Sequence, residues 1–236
     1  MKKKAANSRL SNDLDVLDKV SRAIASDMYL EDILKILVAM TAQLMGAKIS
    51  SLMLLNEKGD ELKLVATQSL SEEYTKKPNV KVGQSISGRA VSERRPIAVL
   101  DVTKDPTYMY PDIARKEKLV SMLAVPLIVK GKVIGVLNSY TSKPHEFTER
   151  EIKLVSAVAN QAAVAIYNRK LLDEKTSLEN KLEERKLIER AKGMLMKQAN
   201  ISEEEAFSRI RAQSMNSRLS MREIAEAILL TRELEK

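Results

Sequence analysis

Cysteine is absent from the 236 residues, histidine occurs once, and aromatic residues make up only 3% of the chain. Without a thiol there can be no disulfide, thiolate metal site, thiol nucleophile or thioether-tethered cofactor. A single histidine adds little capacity for a transition metal. Long apolar runs are missing too. No stretch approaches the roughly 20 uninterrupted apolar residues that a membrane span requires, and Met1-Lys2-Lys3-Lys4 is not followed by the apolar segment of a secretory signal. These absences lead us to expect a cytoplasmic protein with no membrane partner. What is present, 44% hydrophobic and 31% charged residues, suffices for folded cores. The length suits one large domain or two small ones.

The formal net charge of +8 suggests a nucleic acid, but its distribution does not. Residues 171–236 hold 13 basic and 13 acidic side chains, so the whole excess lies earlier in the chain. Within residues 185–222, however, nine basic residues face four acidic ones, enough for a local patch.

Helical spacing of Leu10, Leu14, Leu17 and Ile24 predicts an amphipathic first helix. A second should run from about Leu30 to Met45 and stop at Gly46. Two hairpins follow: Lys48–Asn56 with Glu61–Gln68 around a Gly59 turn, and Ser121–Val129 with Val133–Tyr140 around Lys130-Gly131-Lys132. Between them the pattern reads as a turn and short helix (Gly83 to Val91), a strand (Pro96 to Val99) and a loop through Pro106-Thr107-Tyr108-Met109-Tyr110-Pro111. Thr148 and Glu151 form a capping box that opens a long helix. From Glu149 to Ala199 there is no proline and only one glycine, enough for a rod of roughly 75 Å. Its apolar pattern thins to Leu171, Leu178 and Leu182, which predicts a short two-stranded coiled coil. Ser202/Glu205 and Ser220/Glu223 are two further capping boxes, each opening an apolar periodic run. Ala206, Phe207, Ile210 and Ser214 should supply one face of the resulting three-helix bundle. Met221, Ile224, Ala225, Ile228 and Leu229 should supply another.

On a helical wheel Lys186, Arg190, Gly193 and Lys197 fall in one stripe about 60° wide, opposite Leu187, Ile188, Ala191, Met194 and Leu195. Three cations around a residue without a side chain suit close approach by a phosphate backbone. Lys192 falls off the stripe, toward the helix edge, where a second contact is available. Arg211, Met215, Arg218 and Arg222 lie on or near the last two helices. With Phe207 the only aromatic in this region, stacking on unpaired bases falls to arginine. Elsewhere, Gly83-x-x-x-x-Gly88 lacks the Lys-Ser/Thr of a P-loop, His145 has no second ligand nearby, and no nucleophile–base arrangement stands out. We therefore expect no enzyme, no metal and no cofactor.

Leu187-Ile188-Glu189-Arg190-Ala191-Lys192-Gly193-Met194-Leu195-Met196 resembles the first helix of the ANTAR family. Ile201 to Phe207, Arg211 to Asn216, Arg218 and Ile224 to Ile228 resemble the rest of its pattern. Residues 15–170 resemble a GAF sensor domain through Gly83 to Val91, Pro96-Ile97-Ala98-Val99, Asp101…Asp105-Pro106, Ala124-Val125-Pro126-Leu127 and Gly135-Val136-Leu137. The resemblance implies an α+β fold: an antiparallel sheet flanked by helices (15–170, behind a 1–14 tail), a helical linker (171–182) and a three-helix ANTAR bundle (183–236). GAF domains that bind cyclic nucleotides carry an Asn-Lys…Phe-x-x-x-Asp-Glu signature. This chain departs from it at Ser139 and Arg150, and without cysteine it can hold neither a covalent bilin nor a cysteine-ligated iron centre.

The resemblance further implies a homodimeric, signal-responsive antiterminator that binds stem-loops in nascent leader RNA. Its RNA contacts would come from Lys186, Arg190, Lys192, Gly193, Lys197, Arg211, Met215, Arg218 and Arg222. The signal at the GAF domain would be an unidentified small molecule or protein. Two other readings stay open: a DNA-binding regulator, although the Arg211–Ser220 connection is long for a helix-turn-helix, and a ligand-binding or interaction protein whose helical tail only dimerises.

Overall fold

The computed structural model describes residues 14–69 and 71–233. Leu10 and the N-terminal tail lie outside the described residues. The chain divides at Arg169/Lys170 into two compact units.

The first unit is built on a six-stranded antiparallel sheet. Its strands are β1 (Ile49–Leu55), β2 (Glu61–Thr67), β3 (Val80–Lys81), β4 (Ile97–Val99), β5 (Met122–Val129) and β6 (Lys132–Tyr140), in the order β3-β2-β1-β6-β5-β4. Lys130 and Gly131 both have positive φ (47° and 72°) and join β5 to β6 where Val129 pairs with Lys132. Two left-handed central residues make a two-residue turn whose twist matches the strands, so glycine here is conformationally required. The turn is one residue shorter than the sequence suggests, because Lys132 joins the ladder.

Period-two alternation divides the sheet's two faces. Leu52, Leu123, Val125, Leu127 and Leu137 point to one core, where they meet α1 (residues 14–24), α2 (Leu30–Met45) and the start of α6 (Glu149–Ala199). α2 ends at Gly46, at φ 53°, whose N–H bonds back to Ala42 and Gln43 carbonyls. α1 is rotated from its expected face. Val16, Val20 and Ala23 are buried, Leu17 and Ile24 flank them, and Leu14 is exposed. The stretch Val155, Val158, Ala159, Ala162, Ala163 and Ile166 seals this core with small side chains that let α6 lie close to the sheet.

Ile49, Met53, Met122, Ala124, Val136 and Tyr140 point to the second core, under α3 (Glu72–Thr75), α4 (Ser85–Glu93) and α5 (Pro111–Lys116). α3, β3 and α5 are too short to show a hydrophobic period, and the sequence pattern does not reveal them.

α6 is continuous for 51 residues and leads into the second unit, where α7 (Glu203–Ser217) and α8 (Met221–Glu233) complete a small bundle. Ala191, Ile210, Ile224 and Ala225 form its centre, with Leu187, Ile188, Leu195, Met221, Ile228 and Leu229 packed around them. The helix starts follow local chemistry. Thr148 and Glu151 exchange bonds reciprocally (2.7 and 3.3 Å), as do Ser220 and Glu223 (2.7 and 3.2 Å). At α7 only half the box forms. Glu205 N–H donates to Ser202 Oγ at 3.2 Å, but the Glu205 carboxylate turns to Arg209 at 2.7 Å. Phe207, expected in the core, is 40% exposed, because the inward positions of α7 are taken by Ala206 and Ile210.

Candidate nucleic-acid interface

Where α6 enters the bundle, one side is packed and the other is open. Ala191 and Met194 are buried, whereas Lys186, Arg190 and Lys197 are exposed, with Gly193 between them. A Cβ built on Gly193 would meet nothing within 4 Å. No neighbour inside the chain therefore demands glycine, although glycine in a helix interior is about 1 kcal/mol less favourable than alanine. Helix stability is forgone at a point that faces solvent.

The basic residues differ in how they are engaged. Lys186 pairs with Glu183 at 2.8 Å and Arg222 with Glu226 at 2.9 Å, all exposed but the half-buried Glu226. The Glu226 hydrogen bond, with the charges of Glu184 and Glu183 adding to it, holds the Arg222 guanidinium above its ordinary range. Such exposed pairs exchange readily for another anion. Arg190, Lys197, Arg211 and Arg218 have no ion-pair partner among the described residues. Arg211 and Met215, four residues apart, share one face at the end of α7, where Met215 is 72% exposed. Arg218 caps the helix in the left-handed region at φ 59°.

Lys192 behaves differently from every other residue of the expected set. It is buried, and its ammonium donates to Glu189 at 2.9 Å and Glu203 at 2.7 Å. In this arrangement its ammonium is turned into the bundle and held by both carboxylates, unlike the exposed cations expected beside it. Its wheel position toward the helix edge was the one available sign.

A second polar feature, unmarked in sequence, lies on the first unit's sheet under α3 and α4. Ser51 Oγ meets the Tyr74 hydroxyl at 2.9 Å, and Ser87 Oγ donates to Asn138 Oδ1 at 3.1 Å. Asn138 is fully buried, and its Nδ2 has no hydrogen-bond partner among the described residues. Burial pushes the Tyr74 and Tyr140 phenols well up and Tyr108 to about 12, so all three remain neutral. Tyr110 donates to the Pro78 carbonyl at 2.8 Å and Lys116 pairs with Glu73, which tie the loop before α5, and α5 itself, to the α3 region.

The Lys77 ammonium lies 4.0 Å from the Tyr74 ring centroid, and desolvation alone lowers it to about 7. Below pH 7 Lys77 is charged in both folded and unfolded chains. Between about 7 and its unfolded value of 10.5 the folded chain binds fewer protons, so stability rises with pH. We expect the denaturant midpoint to increase from pH 7 to 9.5, and Lys77→Met to remove that part of the increase. Equal pH slopes in the two proteins would refute this assignment.

No helix among the described residues is long and apolar enough to cross a membrane, and none of their acidic and histidine side chains form a metal-sized group of three. Fold and site together describe a sheet-based sensor-type domain followed, along a helix, by a helical bundle with a basic open face. Comparison with known families agrees. Residues 28–166 match the GAF domain and residues 176–229 the ANTAR domain. The chain belongs to the GAF family and carries an ANTAR domain behind its GAF domain.

Among curated relatives, the Nif-specific regulatory protein of Herbaspirillum seropedicae is 24% identical over 184 residues, covering 72% of this chain and 34% of that protein. The transcriptional regulatory protein PdtaR of Mycobacterium tuberculosis is 32% identical over 105 residues, 44% of this chain and 49% of that protein. The matches thus span about half or less of these relatives. The GAF domain of a phosphoenolpyruvate-protein phosphotransferase from Coxiella burnetii superimposes with a TM-score of 0.63 at 24% identity, over 70% of this chain and 98% of that one.

Proposed function

We propose that the protein is a signal-responsive antiterminator whose C-terminal bundle binds stem-loops in nascent leader RNA and keeps a terminator hairpin from forming. The observation that carries this reading is the open face of α6, where Arg190 and Lys197 flank a glycine that nothing in the chain requires. Lys186 and Arg222 extend that face by exchanging their surface carboxylates for phosphates. Arg211, Met215 and Arg218 form a second strip suited to stacking on unpaired bases. The protein acts as a homodimer through the α6 positions Leu171, Leu178 and Leu182, which lie exposed at 42%, 65% and 54%. A signal at the GAF domain, received at the polar row of Ser51, Asn138, Ser87 and Lys77, changes how α6 packs. It can act only through unequal affinity for the two packings.

A DNA-binding reading gains from one observation. α7 runs to Ser217, leaving only Arg218–Ser220 before α8, a three-residue turn of helix-turn-helix length. The connection is shorter than the sequence suggests because the helix continues past Arg211 to Ser217, whose hydroxyl still donates back to the Gln213 carbonyl at 2.7 Å. Gel shifts of the full chain with stem-loop RNA and with duplex DNA separate the two, and we expect a shift with the RNA alone. Gly193→Ala sharpens the test. It should raise the bundle's stability by up to about 1 kcal/mol while weakening RNA binding at least tenfold. Unimpaired binding by this more stable variant would show that nothing approaches that face closely.

A further inference from the structure

Lys192 is the one charged side chain among the described residues that is buried, at 7% exposure. Its two partners come from different helices. Glu189 lies one turn earlier on α6, and Glu203 is the first residue of α7, directly after the Ser202 cap. The ammonium also stands 5.9 Å above the Phe207 ring, one turn further along α7. One lysine thus joins α6 to the start of α7 by two charge-assisted bonds and an aromatic face. Its neighbours in sequence have other tasks: Ala191 is fully buried in the bundle centre, and Gly193 opens onto the basic face.

The carboxylates are placed differently from the lysine. Glu189 and Glu203 are 54% and 67% exposed. Left alone, these two negative charges, one on the helix that carries Arg190 and Lys197 and the other at the start of α7, would face solvent and repel a polyanion. Lys192 pairs with both, each staying more than half exposed, and offsets one of the two charges.

We infer that Lys192 is a positioning residue for RNA binding, which clasps α6 to α7 and masks Glu189 and Glu203 without itself touching the RNA. This rests on the RNA-binding reading above. The clasp has two effects. It sets where α7, and with it the strip of Arg211, Met215 and Arg218, lies relative to the α6 stripe. It also keeps the local field favourable to phosphate.

A double-mutant cycle on the full chain tests this, with RNA affinity measured in two backgrounds. In the natural background Lys192→Met strands two carboxylates, and we expect affinity to fall at least tenfold. In a Glu189→Gln/Glu203→Gln background there is no charge to mask. The same Lys192→Met change should then alter affinity less than threefold and leave the salt dependence unchanged. Two results overturn the proposal. One is an equal loss in both backgrounds, accompanied by a salt slope shallower by about 0.7–0.9, the signature of one lost phosphate contact. The other is full affinity for Lys192→Met in the natural background. Thermal unfolding of the same four proteins distinguishes failure of the underlying reading. If no stem-loop binds even the unaltered chain, the RNA reading and with it the masking role fall. A lower melting temperature on Lys192→Met in the natural background alone would then leave Lys192 as a fold clasp only.

Discussion

Replacing Arg190 and Lys197 together by glutamate is expected to lower affinity for a stem-loop RNA by about 100-fold near physiological salt, a loss of roughly 2.7 kcal/mol. Both side chains are exposed and lack ion-pair partners among the described residues, so the fold should change by no more than about 0.5 kcal/mol. Reversal removes two phosphate contacts and adds two repulsions. The slope of log affinity against log salt should therefore become shallower by at least about 1.4. Filter binding at several salt concentrations measures both quantities. The same double change should cost far more than reversal at Lys58 and Lys132, which are exposed cations of the GAF domain. Equal losses from the two pairs would mean that RNA responds only to total charge, and the α6 face would lose its special status.

The second large effect concerns the GAF sheet. Gly135 lies in β6 opposite Leu54 of β1, and a Cβ built there would come within 2.3 Å of the Met53 carbonyl oxygen and 2.9 Å of Leu54 Cδ2. The first of these is backbone in a central strand, which has no rotamer to yield. Gly135→Ala must therefore push β1 and β6 apart, along a pairing that continues to Ile49 and Tyr140. Overpacking of this kind costs about 3 kcal/mol, a large share of the stability of a domain this size. Denaturant unfolding should show the midpoint drop sharply, and RNA binding by the folded fraction should be unchanged. An unaltered midpoint would mean that the strands separate locally at little cost. Gly193→Ala makes the contrast. The same substitution meets backbone at one glycine and open space at the other, so the two should move stability in opposite directions.

The features legible in sequence are those set by local chemistry. Gly46 ends α2 because a left-handed residue lets its amide bond back to the helix, and the two full capping boxes need only residues three apart. The Lys130-Gly131 turn is likewise a two-residue signal. What sequence misread depends on partners distant in the chain. The face α1 presents is chosen by α2 and the sheet, so Leu14, good by spacing, is exposed while Val16 is buried. Phe207 is hydrophobic enough for a core, but Ile210 already fills the position facing Ile224. Lys192 sits in the same short motif as Gly193 and reads as another surface cation. Only the arrival of Glu203 from α7 explains why it turns inward. The polar row at Ser51, Ser87 and Asn138 assembles residues 36 and 51 positions apart, a distance no periodicity spans.

We propose that the open α6 face meets RNA. Sequencing the RNA crosslinked to this protein in its own cells, beside the Arg190→Glu/Lys197→Glu variant, tests it most directly. Leader segments bearing paired small stem-loops should be enriched with the unaltered protein and lost in the variant. RNA recovered equally with both proteins, or no enriched stem-loop with either, would contradict it.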